Sequence, residues 1–464
     1  MTSIKRIPQS SSNSITSSSS IFSSVSVIKE LVDNSIDAFQ NLKVKKNLQI
    51  DIELDQVSAG LKYISVKDNG SGVTKLDRPL MCCNCTTSKI DSFKDISDTG
   101  VKTLGFRGEA LFFISQLSEV TIISKTKDDK LGEIWSINSK NGLPNSIAKQ
   151  INTNIGTTVL VRKLFDDFPV RKKMLKKESK KTIDNLIDLI FNYSISYPNI
   201  RFNLKLISIH PTSDQKTTTI QLINFQPNLN IIKSLLNFLN LKSTFSSKFF
   251  NEDFKFESTD NNGLEYNCSI DLVLPKLRAQ DMNLPSVLKN KNLKILSVNN
   301  RPLSNKLQLF KNINKIVNQV YSDSGLLNPS IWVIKLKLPI TKLDVNIEPE
   351  KSDILINNLD QFLISLKDEL KLKVLKNHDI HDDLEAGNES DFHQTQKNNE
   401  SLFVEPVSPQ SDTDYIATVD KPQERDYVVD SDTIISDNEN LDDVALIGKS
   451  VHVASNIELS LIHI

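Results

Sequence analysis

The stretch VIKELVDNSIDA, Val27 to Ala38, has two different faces if it is helical. Ile28, Leu31, Val32 and Ile36 recur at helical spacing and make one apolar stripe. Glu30, Asn34 and Asp37 stand at i, i+4 and i+7 and, at about 100° per residue, line the opposite side. Such a helix must lay its stripe on another layer, and the next segments supply one. LQIDIEL and LKYISVKD alternate apolar and polar residues like half-buried strands, the second running into the turn DNGSG. Helices mixed with antiparallel strands predict an α+β layer rather than a doubly wound sheet.

Farther along, the glycines of LGFRGEALFFISQL open an apolar helix, and VTIISK and GTTVLVRKLF read as strands. KKTIDNLIDLIFNYSIS predicts a helix leading to the strand IRFNLKLISI, and the polar HPTSDQKTTT then places a domain boundary near residue 215. Beyond it, NIIKSLLNFLN and LDQFLISLKDELKLKVL predict helices, and LKILSVNN and IWVIKLKL strands. The expected organisation is therefore domains over 1–215 and 216–376, with an acidic, disordered tail over 377–464. Residues 9–26 are rich in serine, a composition of disorder, but Ile15, Ile21, Phe22 and Val25 interrupt it, so part of the segment is expected to pack.

A chain of 464 residues exceeds what one core usually holds. It has no run of about 18 apolar residues and no signal-peptide core, so a soluble intracellular protein with no membrane partner is expected. Cys82, Cys83 and Cys85 cluster as CCNC, far from Cys268, which makes neither a disulfide framework nor a good four-ligand metal site. The net charge of −1 hides an asymmetry: residues 378–443 hold 19 of the 57 acidic and 3 of the 56 basic residues, leaving 38 and 53 elsewhere and a body near +15. Such a body attracts polyanions. Arg162, Lys163, Arg171, Lys172, Lys173, Lys176, Lys177, Lys180 and Lys181 form its densest cluster, read equally as a DNA-backbone contact and as a solvated face or import signal.

Each motif alone has a plain structural reading. The acidic side of the first helix can be a solvated face, DNGSG an ordinary turn, and GFRGEA the start of a core helix. Each also has a chemical reading, since glycines admit a ligand close to the backbone and a helix start offers free N–H groups to a phosphate.

Their order is more specific: acidic helix, DNGSG, TTSK, GFRGEA, then GTT. In this order the chain resembles the MutL family of DNA mismatch repair proteins, within the GHKL ATPase superfamily of gyrase, Hsp-type chaperones and histidine kinases. FPVRKKML, VNNRPLSNK and DVNIEPEKSDI extend the resemblance from about Ile15 to about residue 375. It implies a GHKL (Bergerat-type) α/β sandwich followed by a smaller ribosomal-protein-like α/β transducer domain. It further implies ATP and Mg²⁺ as cofactors, with Glu30 as the general base that activates water and Asn34 as the Mg²⁺ ligand. Asp68 would accept from the adenine amino group, with Gly72 and Thr157 completing the base pocket. Thr87 and Lys89 match the TSK segment that reaches the nucleotide. Gly105, Phe106, Arg107, Gly108 and Glu109 match the phosphate loop, and Lys351 the second-domain lysine that reaches the γ-phosphate.

The function implied is a slow ATPase subunit that changes conformation on DNA in the nucleus. Its expected partners are DNA bound with little sequence preference, the common MutL subunit as a heterodimer, and MutS-type mismatch recognition complexes. Departures are local: SSSSIFSSVS stands where a Gly-Glu pair is usual, and Glu348 where His is common. After residue 376 no DQHA-type endonuclease motif and no dimerisation domain is recognisable. No endonuclease activity is therefore expected, pairing is expected to be lost or the chain truncated, and the likeness is greatest to the accessory non-endonuclease homologues of fungi. The competing expectations are a non-catalytic scaffold for partner and DNA binding and another GHKL enzyme.

Overall fold

The computed structural model describes residues 4–40, 42–92, 94–97, 100–209, 217–276, 291–345 and 354–378. Helices α1 (Gln9–Ser20) and α2 (Ser24–Gln40) open the fold. The α2 stripe read from the sequence is inside, with Ile28 and Val32 0% exposed and Leu31 and Ile36 2%. Withdrawing each such side chain from water contributes about 1.5–3 kcal/mol. The stripe rests on β1 (Leu48–Asp55) and β2 (Tyr63–Asp68), an antiparallel pair with Ile50 opposite Asp68.

After the short α3 (Lys94–Ser97) come α4 (Ala110–Leu117), β3 (Glu119–Lys125), β4 (Gly132–Ser136), β5 (Lys149–Ile151) and β6 (Gly156–Arg162). Next are α5 (Pro169–Lys177), α6 (Ser179–Ser196), β7 (Ile200–Ile209) and β8 (Thr217–Phe225). The eight strands form one sheet ordered β5-β4-β3-β6-β2-β1-β7-β8, antiparallel at every step except β1 with β7. This mixed helix-and-sheet architecture is the α+β layer expected from the sequence.

Two local readings change. The boundary placed near residue 215 falls inside the first sheet, because β8 pairs with β7 down to Phe202 opposite Phe225. HPTSDQKTTT looks like a linker by composition, yet its last threonines belong to an exposed edge strand, where polar residues are at home. The serine-rich start is helical: α1 packs against α4, Ser17 is buried, and Arg171 Nη1 donates to the Ser18 carbonyl at 2.8 Å.

The second sheet is ordered β12-β11-β13-β10-β9. Its strands are β9 (Phe249–Thr259), β10 (Glu265–Pro275), β11 (Leu293–Val298), β12 (Arg301–Pro302) and β13 (Ile331–Lys337). Helices Gln308–Asp323 and Leu359–Asn377 share its main core, and a small pair, β14 (Leu343–Asp344) and β15 (Leu355–Ile356), lies beside it. α7 (Ile231–Phe238) starts where the Asn230 side chain accepts from the Ile232 N–H at 2.8 Å.

α6 serves both halves. Leu186 and Ile190 belong to the first core, while Phe191 and Ile195 join Leu235, Val273, Ile295 and Val333 in a third cluster, with Phe191 stacked on Phe238 at 3.9 Å. Among the described residues no helix is long and apolar enough to cross a membrane. Lys351 and the tail from 379 onward lie outside the described residues.

Candidate functional site

The polar side of α2 is not solvated. Glu30 is 8% exposed and Asp37 5%, and Asn34 is half-buried, so the fold has withdrawn two carboxylates from water. Buried carboxylates need partners. Asp37 has four: the N–H groups of Leu104 (2.9 Å) and Gly105 (3.0 Å), the Lys89 ammonium (2.6 Å) and, at 3.4 Å, the Gln40 side-chain amide. Lys89 Nζ also donates to Asn34 Oδ1 at 2.9 Å. One cation thus gathers two oxygens from α2 while the glycine-rich loop docks on the same carboxylate.

Asp68 ends β2 at 5% exposure. Its Oδ1 accepts from the N–H groups of Gly70 (2.8 Å) and Thr157 (3.3 Å), and its Oδ2 from the Ser35 hydroxyl (3.3 Å). Burial nevertheless dominates and lifts its pKa to about 6. Thr157 Oγ1 lies 3.2 Å from Ser124 Oγ, which also accepts from the Val73 N–H at 2.9 Å, tying β6 and β3 to the DNGSG turn.

Two glycines are required by the backbone. Gly72 has φ +70° and a Cβ there would lie 2.2 Å from the Lys125 carbonyl oxygen; Gly108 has φ +69° and a Cβ would lie 2.3 Å from that of Thr86. Between them, Phe106 is 1% exposed with the Arg107 guanidinium 5.6 Å from its ring centre. Glu109 is the residue before α4, whose start has no side-chain cap. Thr87 is exposed, its hydroxyl accepting from the Lys89 N–H at 3.2 Å.

The structure therefore brings Asn34, Asp37, Lys89 and Gly105 into one polar cluster, and joins Asp68 to Thr157. Thr87 is tied to that cluster through the Lys89 N–H, and Lys351 is outside the described residues.

Four contributors are absent from the sequence reading of the site. Asp33 bonds Lys29 (3.0 Å) and the Tyr193 hydroxyl on α6; burial alone would raise its pKa, but Lys29 and Tyr193 outweigh that and lower it. Ser35 and Ser124 reach the Asp68 corner, and Arg301 reaches the glycine-rich loop. Only Ser35 carried a local signal, standing between Asn34 and Asp37.

The comparisons bear on these sites. Residues 22–158 match the family described as histidine kinase-, DNA gyrase B-, and HSP90-like ATPase, and residues 243–374 the C-terminal domain of DNA mismatch repair proteins. In both parts the chain is similar to MutL-family mismatch repair proteins. It is 27% identical over 371 residues to PMS1 protein homolog 1 of Homo sapiens, across 78% of this chain and 35% of that protein. It is 28% identical to the DNA mismatch repair protein MutL of Streptococcus pyogenes, across 82% of this chain and 50% of that one. Thus the chain spans half or less of the length of these two relatives. A crystal structure of the N-terminal domain of a DNA repair protein superposes with a TM-score of 0.61 at 25% identity, covering 78% of this chain and 98% of that one. The fold is accordingly that of a GHKL ATPase domain followed by a mismatch-repair domain.

The donor set suits a small hard cation. Asn34 Oδ1 and Asp37 Oδ2 already converge on one positive charge, the Lys89 ammonium, and neutral amide and carboxylate oxygens are the ligands Mg²⁺ favours alongside phosphate.

Proposed function

We propose that this chain binds ATP with Mg²⁺ over the polar side of α2 and hydrolyses it slowly, as a mismatch-repair subunit that changes conformation on DNA. The observation that carries the reading is the buried polar side of α2: Glu30 and Asp37 are withdrawn from water on the helix that also presents Asn34.

In this reading Glu30 orients a water molecule and takes its proton as the water attacks the terminal phosphorus, whose bond to the β–γ bridging oxygen breaks to release ADP and phosphate. Asn34 holds Mg²⁺, which supplies positive charge against the phosphate oxygens. Asp68 accepts from the adenine amino group, where guanine would present an acceptor of its own. Gly72 and Thr157 shape the base pocket. The loop from Gly105 to Glu109 offers main-chain N–H groups to phosphate. Thr87 and Lys89 reach the nucleotide, and Lys351 meets the γ-phosphate.

Lys173, Lys176 and Lys177 on α5 and Lys180 and Lys181 on α6 are exposed and serve DNA-backbone contact in this reading. We further propose ATPase and transducer domains, no endonuclease step, kinship with the accessory fungal group, nuclear location, pairing with the common MutL subunit, and contact with MutS-type complexes.

Steady-state ATP hydrolysis and equilibrium ATP binding, measured on the chain and on Glu30→Ala, test the reading. Hydrolysis lost with binding kept supports it. A wild-type chain that binds no ATP sinks it and leaves the fold as a scaffold.

A further inference from the structure

Arg301 stands on β12 of the second sheet, yet its guanidinium is in the first half of the fold. Nη1 donates to the Leu104 carbonyl at 3.1 Å and Nη2 to the Thr103 carbonyl at 3.0 Å. The residue is 6% exposed, so both bonds are shielded from water.

The turn that aims Arg301 is itself held firmly. Asn299 and Asn300 take left-handed conformations (φ 50° and 63°), which asparagine tolerates. The Asn299 side chain clamps Leu338 from both sides, its amide donating to the Leu338 carbonyl at 2.9 Å and its oxygen accepting from the Leu338 N–H at 2.9 Å. Arg301 is therefore presented by β11, β12 and the end of β13 as a rigid fork.

Beyond the fork the hydrogen bonds continue without a break. The Thr103–Leu104 and Leu104–Gly105 peptide units that offer their carbonyls to Arg301 offer their N–H groups to Asp37, and Asp37 accepts from Lys89, which donates to Asn34. The charge of Arg301 is also felt at Lys29 and Asp33 on α2. A cavity of about 350 Å³ opens beside the fork, walled in part by Lys102, Tyr197, Asn300 and Ile340. Arg301 thus bridges a gap rather than adding to a packed seam.

We infer that Arg301 is a positioning residue that fastens the glycine-rich loop to the second domain, so that loop order at the nucleotide site and seating of that domain form a single equilibrium. The coupling to nucleotide rests on the ATP-binding reading above; the fastening of the loop does not.

The test compares hydrogen–deuterium exchange of the full chain with that of Arg301→Gln and Arg301→Lys, with MgATP binding and steady-state kinetics on the same preparations. For Arg301→Gln, exchange across residues 101–106 rises about tenfold, as expected for losing bonds from a charged donor, while β1 and β2 are unchanged. MgATP binding weakens, and KM rises more than kcat falls. Arg301→Lys, which keeps the charge but not the fork, lies between, and carries the same test if Arg301→Gln does not fold. Unchanged exchange over 101–106 overturns the inference, as does equal loosening of β1 and β2, which marks a general loss of stability. Faster exchange over 101–106 with nucleotide binding unaltered overturns the coupling. If the wild-type chain binds no MgATP, the ATP reading and the coupling both fall, and the exchange comparison still decides the fastening.

Discussion

The Lys89 ammonium lies 2.6 Å from Asp37 Oδ2, with Lys89 at 21% and Asp37 at 3% side-chain exposure. Lys89→Met would leave the Asp37 carboxyl in a water-poor site with the Leu104 and Gly105 N–H groups and the more distant Gln40 amide as its partners. Removing one partner of a buried pair costs about 3–5 kcal/mol; because Lys89 is partly exposed, about 2 kcal/mol is expected. Chemical denaturation checks this, and unchanged stability would show that water replaces the ammonium freely.

Asp68 gives a pH dependence with a definite sign. Its folded pKa is raised from 3.8 to about 6, so between those values the folded chain holds more protons than the unfolded one. This group therefore makes stability fall as pH rises from about 4 to about 6, with no further loss above, by at most about 3 kcal/mol. Asp68→Asn removes that slope and is more stable than wild type at pH 7. The same substitution replaces the proposed adenine acceptor, so it weakens ATP binding; stability curves against pH and nucleotide titration check the two halves separately.

Gly108→Ala is expected to cost about 3 kcal/mol, from a left-handed backbone and a methyl group driven into the Thr86 carbonyl. The clash is with main chain, so no rotamer relieves it. Thermal melting gives the loss, and a melting point equal to that of wild type would mean the loop lies elsewhere in solution.

The basic cluster divides in two. Arg171 holds α1 through the Ser18 carbonyl and lies against the rings of Phe165 and Phe168, so Arg171→Ala destabilises the chain by about 1–2 kcal/mol. Replacing Lys173, Lys176 and Lys177 by alanine leaves stability nearly unchanged. It makes the dependence of DNA affinity on log salt shallower by up to about 2.7, at about 0.9 for each phosphate that a lysine no longer neutralises. A slope identical to wild type would assign these lysines to something other than DNA.

Local periodicity explains what the sequence disclosed. The stripe of α2 and the alternation of LQIDIEL and LKYISVKD are short-range patterns, and a helix on a sheet follows from them. Partners distant in sequence leave no such trace. Asp33 and Asp37 are both acidic residues of one helix, and only the arrival of Tyr193 from α6 and of the glycine-rich loop decides which carboxylate faces which neighbour. Arg171 has the look of a phosphate contact until α1 is seen lying beneath it. The β9–β10 hairpin escaped because FFNEDFKFEST mixes acidic residues among its aromatics, which suits an edge strand and blurs the apolar pattern.

β1 is the first strand among the described residues, yet it ends between β2 and β7, and β7 begins at Ile200. A nascent chain therefore carries one side of β1 unsatisfied until well over a hundred further residues have left the ribosome. Throughout that interval Ile50, Ile52 and Leu54 belong to an open ladder that another chain can join. Closing so long a loop is slow, so the open edge of β1 is exposed to other chains longest while this chain is being made.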